Sequence, residues 1–134
     1  MAGYLLDTNH ASKVMAGDEN LRRHLENSRE TGSKFGISMT VLGELYFAVF
    51  ASQRKNENLN HLRAFLDSIL LLKYDEKAAK EFGKIQSEQK SKGRPIPPTD
   101  AQIAAVARIQ NLTILSEDKH FTYIDVPVEN WLTS

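Results

Sequence analysis

Short apolar runs alternate with helix-length amphipathic segments along this chain, and that alternation limits the fold more than any single motif. Gly3–Leu6, Phe35–Met39, Leu70–Tyr74 and Leu112–Leu115 read as strands, bounded by polar or glycine residues. Residues 10–30 read as helix broken at Gly17, with Asp18 placed to cap the second piece. After a Thr40 N-cap, Val41–Gln53 shows an apolar helical face of Leu42, Leu45, Tyr46 and Val49. A polar turn at Lys55–Asn58 leads into a helix carrying Leu59, Leu62, Phe65, Leu66 and Ile69. Asp75 caps a long polar helix running to about Lys92. Gly93 and the "RPIPP" segment interrupt regular structure before Thr99 or its neighbour starts the helix "DAQIAAVARIQN". Tyr123–Val128 is the expected fifth strand. Parallel strands need crossovers of this length, so the pattern predicts a three-layer α/β/α sandwich around a mainly parallel sheet of about five strands.

The length of 134 residues predicts one domain, residues 1–134, burying roughly two-thirds of the unfolded chain's surface. The absence of cysteine excludes a disulfide framework and a thiolate metal site, and it fits a cytoplasmic location. The first apolar run stops at Asp7, too early for a signal-peptide core, and no run nears the ~18 apolar residues of a membrane span. Lysine plus arginine (17) balance aspartate plus glutamate (17), so nucleic-acid binding would need a local basic rim or a metal rather than overall charge.

Ligands in parallel sheets sit at the carboxyl ends of strands, which singles out four acids. Asp7 ends the first strand, Glu44 lies in the first turns after the second, and Asp118 follows the fourth in "ILSEDKHF". Asp100 opens a helix on whose one face it lies with Ile103, Ala104 and Ala107, a face small enough to approach the sheet closely. Singly, each has a structural reading: Asp7 as a cap, Glu44 and Asp100 as first-turn acids favoured by the helix dipole, Asp118 as a loop acid beside Glu117. Together they form a set of carboxylates whose mutual repulsion a hard divalent cation, Mg²⁺ or Mn²⁺, would resolve. The chemistry this points to is metal-dependent phosphodiester hydrolysis. Thr8, Asn9, Thr40 and Ser116 can cap helices or orient those carboxylates.

The remaining candidates are weaker. Basic residues are dispersed, and only Lys92 and Arg94 precede the segment that delivers Asp100, where they could contact phosphate. His120 lies beside the fourth acid and could contact substrate, but it reads first as a surface histidine, as does His10. The four histidines show no zinc spacing, no glycine-rich phosphate loop is present, and no serine sits in a nucleophile elbow. A haloacid-dehalogenase-like phosphotransferase also places an aspartate after its first strand, but it wants a second one where this chain has Asn9.

"LLDTNH", "ISMTVLGELYFAV", "IPPTDAQIAAVA" and "ILSEDKHFTYI" occur in this order over essentially the full length. In these motifs the chain resembles PIN-domain ribonucleases, specifically the VapC-type toxins of prokaryotic toxin–antitoxin pairs. The resemblance implies Asp7, Glu44 and Asp100 as core metal-binding, catalytic acids. It places Asp118 at the more variable fourth position, Asn9 and Ser116 at supporting positions, and Phe121 at a packing position. It further implies Mg²⁺ or Mn²⁺, endonucleolytic cleavage of RNA to 5′-phosphate and 3′-hydroxyl ends, a homodimer, and inhibition by a cognate VapB-like antitoxin. No membrane role follows, and DNA contact would come only through the antitoxin. A catalytically weak RNA-binding PIN domain, or a PIN nuclease of RNA processing, is the alternative reading.

Overall fold

The computed structural model describes residues 3–132. Five strands form one sheet in the order β3-β2-β1-β4-β5, every neighbouring pair parallel. The strands are β1 (Gly3–Leu6), β2 (Lys34–Ser38), β3 (Leu70–Leu72), β4 (Thr113–Leu115) and β5 (Val128–Glu129). Helices α1 (Thr8–Met15), α2 (Glu19–Glu30), α3 (Met39–Phe50) and α4 (Lys55–Leu66) form one group in which α1 touches the other three. Helices α5 (Glu76–Ser91) and α6 (Pro98–Gln110) pack as a pair, completing the α/β/α arrangement.

The chain leaves β1 toward β2 and β3 on one side and returns to β4 and β5 on the other. The order of the strands therefore reverses between β1 and β4, which opens a crevice above their carboxyl ends. Both strands end in fully buried pairs, Leu5–Leu6 and Ile114–Leu115, in register with each other, so the loops that follow are held side by side. The inward face of α6 is almost all alanine: Ala101, Ala104, Ala105 and Ala107 are fully buried. Small side chains let this helix lie close to the sheet, which brings Asp100 to the crevice.

Local chemistry explains most boundaries. Gly17 adopts φ 87°, the left-handed region that ends α1, and the Asp18 carboxylate then accepts Leu21 N–H at 3.0 Å to start α2. Gly36 is required by close packing, since a Cβ there would sit 3.0 Å from the Leu70 carbonyl oxygen of the next strand. Asp75 caps α5 by accepting from Ala78 N–H.

The sequence reading departs from the structure at several element boundaries. Ser38, not Thr40, caps α3: its hydroxyl accepts Val41 N–H at 3.3 Å, so strand runs directly into helix. Helix α4 begins at Lys55, because the polar stretch read as a turn is its first, solvent-facing turn, with Glu57 favourable to the dipole. Helix α6 begins at Pro98, the neighbour of Thr99, in agreement with the sequence reading, proline suiting a first turn that needs no amide donor. Of the stretch Tyr123–Val128 only Val128 lies in a strand. Asp118 caps a 3₁₀ turn over Lys119–Tyr123 that buries Phe121, and pairing resumes only at Val128, after Pro127, which has no N–H to offer a ladder.

Candidate functional site

The crevice above β1 and β4 is a cleft of about 130 Å³ lined by Asp7, Thr8, Asn9, Glu44, Asp100, Ile103, Asp118 and Phe121. All four acids singled out from the sequence line it, delivered by four separate elements. Larger hollows lie between α1, α2 and α4 and between α1, α3 and α4, but they hold no such set of acids.

Asp7 is the most constrained of the four. It is buried, and it caps α1 by accepting His10 N–H at Oδ1, 2.8 Å away. The His10 Nδ1 atom lies 3.2 Å from the same oxygen, and the Ser116 hydroxyl donates to Oδ2 at 2.5 Å. The Ser116 oxygen in turn accepts Asp118 N–H at 2.9 Å, so one serine holds two of the acids' positions at once. A carboxylate has about four acceptor sites. Three are occupied here, which leaves Asp7 one site toward the cleft.

Thr8 and Asn9 do not hold Asp7, as the sequence reading expected. The Thr8 hydroxyl donates to Glu44 Oε1 at 2.5 Å, and Asn9 Nδ2 donates to Glu117 Oε1 at 3.3 Å. The i, i+1 spacing points each in a different direction from Asp7, toward α3 and toward the loop after β4. Thr40 also orients no acid: it bonds Gln102 Oε1 at 2.9 Å and so ties α3 to α6. Glu117 is exposed at the rim, and Asp118 is the acid of this loop that faces the cleft.

Asp100, Asp118 and His120 form the tightest group. One ligand atom from each lies within 4.8 Å of the other two. Burial first, then the Asp118 carboxylate and Glu44, together push the Asp100 carboxyl up to about 6, with the His120 ring partly opposing the shift. The His120 Nδ1 atom lies 2.9 Å from Asp118 Oδ1 and 3.4 Å from Asp100 Oδ2. Its direction gives a hydrogen bond to neither, so a buried ring nitrogen stands unbonded beside two acids. His120 is thus a member of the acidic group rather than a surface histidine. Asp7 and Glu44 line the same cleft without joining that 4.8 Å group.

These residues fit a hard divalent cation. The donors are carboxylate oxygens, their mutual repulsion already raises one of them, and no lysine or arginine lines the cleft among the described residues. Asp7 and Asp100 are better buried than Asp118.

Of the basic candidates, Arg94 stands over the Tyr123 ring at 5.4 Å, and that ring meets the His120 ring edge-on at 5.9 Å. A contiguous path of side chains therefore runs from the acids to an exposed guanidinium. Lys92 ends α5 and is exposed, with no contact to the site. The residue that sequence reasoning missed is His10, which is fully buried against Asp7. Its i, i+3 spacing from Asp7 on a helix that begins at Thr8 was the available signal.

The family model described as PIN domain matches residues 4–127. The chain belongs to the PIN-domain family. Ribonuclease VapC2 of Haemophilus influenzae is 31% identical to it over 137 residues, covering 98% of this chain and all of that protein. The tRNA(fMet)-specific endonuclease VapC of Shigella flexneri is 32% identical over 118 residues, 88% of each. Among solved structures, VapBC2 of Rickettsia felis bound to a DNA fragment from its promoter superposes with a TM-score of 0.90. The identity is 27%, over 96% of this chain and 98% of that one. The fold expected from strand–helix alternation is thus that of a PIN domain related to VapC ribonucleases, with its acids in the crevice described above. Among the described residues, no helix is long and apolar enough to cross a membrane.

Proposed function

We propose that this PIN domain, acting as a single domain over residues 1–134, is a metal-dependent endoribonuclease. In this reading it is the toxin of a VapBC-type pair, held inactive by a VapB-like antitoxin. The observation that carries the proposal is the convergence of Asp7, Glu44, Asp100 and Asp118 on one cleft at the reversal of strand order. Like charges there have no lysine or arginine partner among the described lining residues. Support for the antitoxin comes from relatives whose solved structures are VapBC complexes, some of them DNA-bound. DNA contact is then a property of that partner, and the toxin works in the cytoplasm, as a homodimer in the resemblance drawn from its motifs.

Asp7, Glu44, Asp100 and Asp118 are the residues that would hold Mg²⁺ or Mn²⁺. When bound, such an ion supplies Lewis-acid chemistry, neutralising charge that develops at the scissile phosphoryl group. The chain's own residues arrange for it. Ser116 and His10 fix the Asp7 carboxylate so that one oxygen site faces the cleft, and Thr8 fixes Glu44 from the other side. Phe121 and Ile103 wall the cleft with apolar surface, which limits water and strengthens every interaction with charge inside. His120, partly exposed, stands where its ring can face an RNA phosphate, and Arg94 extends that contact outward.

The test is cleavage of purified RNA pools by the wild type and by Asp7→Asn, with Mn²⁺, Mg²⁺ or EDTA. The expected result is cleavage by the wild type with either ion, none in EDTA, and loss of at least about 100-fold in the variant. Equal rates in both proteins would refute the reading. Sequencing the RNA ends would identify the substrate.

A further inference from the structure

We infer that His10 is a positioning residue of the acidic centre, holding the Asp7 carboxylate through Nδ1 while the C-terminal segment fixes the ring proton there by donating to Nε2. The inference rests on the metal-centre reading above. His10 is 0% exposed, although histidine is a residue type seldom buried so completely. Both its ring nitrogens have partners. Trp131 N–H donates to Nε2 at 3.2 Å, across 121 residues of sequence, and Nδ1 faces Asp7 Oδ1 at 3.2 Å.

Those two contacts decide where the ring proton lies. A nitrogen that accepts an N–H carries no proton of its own, so Nε2 is bare and the proton sits on Nδ1, from which it is donated to Asp7. The donor on the far side is itself held firmly. The Trp131 indole stacks on His24 at 3.6 Å and 12°, meets Tyr4 and Phe35, and donates from Nε1 to Glu129 Oε1 at 2.9 Å. A hydrogen-bonded line therefore runs from the residues after β5, through one imidazole, to the acid at the end of β1. Its effect is directional. With two donors on Oδ1 and one on Oδ2, the remaining acceptor site of Asp7 is aimed at the cleft. Partners of this kind fix the orientation of a ligand, and their loss typically lowers metal affinity by about 10–100-fold.

A histidine that merely fills the core would affect stability alone, and two variants separate the roles. In His10→Asn the amide nitrogen takes nearly the position of Nδ1, so the donor to Asp7 survives while the acceptor for Trp131 is lost. In His10→Phe the ring remains and both bonds are lost. The probe is Mn²⁺ alone, titrated calorimetrically into the full chain, beside thermal unfolding without metal. We expect both variants to be less stable. Mn²⁺ affinity should stay within about threefold of wild type in His10→Asn and fall about 10–100-fold in His10→Phe, with cleavage by the latter recovering at high Mn²⁺. Equal Mn²⁺ affinity in wild type and His10→Phe would overturn the role. Nitrogen-15 spectra of the wild-type histidine rings provide a test that survives if a variant does not fold. A protonated Nδ1 with a bare Nε2 for His10 supports the assignment, and a protonated Nε2 overturns it. A wild type that takes up no Mn²⁺ would refute the metal centre itself, whereas an affinity loss in His10→Phe alone speaks to His10.

Discussion

Ser116 Oγ and Asp7 Oδ2 lie 2.5 Å apart although 109 residues separate them, joining the ends of two neighbouring parallel strands. The same hydroxyl oxygen receives Asp118 N–H. Ser116→Ala removes a donor from a buried carboxylate and an acceptor from a backbone amide. The expected loss is about 1–3 kcal/mol of unfolding free energy, read by urea denaturation. Mn²⁺ affinity should fall by about tenfold, since Asp7 is freed to rotate. Unchanged affinity would mean that His10 alone suffices to hold Asp7.

Asp100 makes folding without metal depend on pH. Burial and the Asp118 carboxylate raise its carboxyl to about 6, above the 3.8 of an unperturbed aspartate. The folded state then binds the proton more tightly than the unfolded state does. The stabilisation from protonation is therefore full below about 4 and is lost as pH rises through about 6. The metal-free melting temperature should accordingly rise from pH 7.5 to pH 5. In Asp100→Asn that pH dependence should flatten and the melting temperature at pH 7.5 should exceed wild type, while RNA cleavage disappears. A variant that melts lower than wild type at pH 7.5 would contradict the electrostatic account of the cleft.

Mn²⁺ should offset the same repulsion. At about 100 times its dissociation constant, a ligand that binds only the folded state stabilises it by about 2.7 kcal/mol. Differential scanning at pH 7.5 should show a rise in the wild type and little in Asp7→Asn or Asp100→Asn.

Much of this site was legible in the sequence, for physical reasons that can be named. Parallel strands force their following loops to one edge, so Asp7 and Asp118 had to be neighbours once the alternation was recognised. The alanine face of α6 likewise placed Asp100 inward. Ser116 was legible as a support and bonds Asp7, but which acid each of the other polar residues serves was not, because that depends on side-chain direction within a turn. Thr8 and Asn9 sit beside Asp7 in sequence yet serve Glu44 and Glu117, and Thr40 serves Gln102. His10 escaped notice because its second partner, the Trp131 amide, lies at the far end of the chain. The fifth strand was read too early because Tyr123 closes the 3₁₀ turn while Ile124 and Val126 pack on the core, leaving only Val128 of that stretch in the ladder.

Thr8→Val tests a polar support that α1 gives to α3. Valine keeps the shape and removes only the hydroxyl that holds Glu44 Oε1. Glu44 is half-buried, so its freed oxygen can still reach water, and stability should change by less than about 1 kcal/mol. Cleavage should nonetheless fall by about tenfold, with the loss reduced as Mn²⁺ is raised.

Arg94 supplies the last prediction, on how a chain of zero formal charge would engage a polyanion. Its guanidinium is exposed and stacked on Tyr123, whose ring leads to His120 and the acids. A cation held on an aromatic face loses little freedom when it binds a phosphate, and phosphate contacts position RNA without reading its sequence. Arg94→Ala should therefore raise KM by several-fold and leave kcat nearly unchanged, since the contact is made equally in the ground and transition states. The slope of log affinity against log salt should become shallower by about one phosphate contact's worth, roughly 0.7 for single-stranded RNA. Lys92, exposed and with no contact to the site, should show a smaller effect on both measures when changed to alanine. If Lys92→Ala matches or exceeds Arg94→Ala, the RNA path runs along the end of α5 instead of over Tyr123.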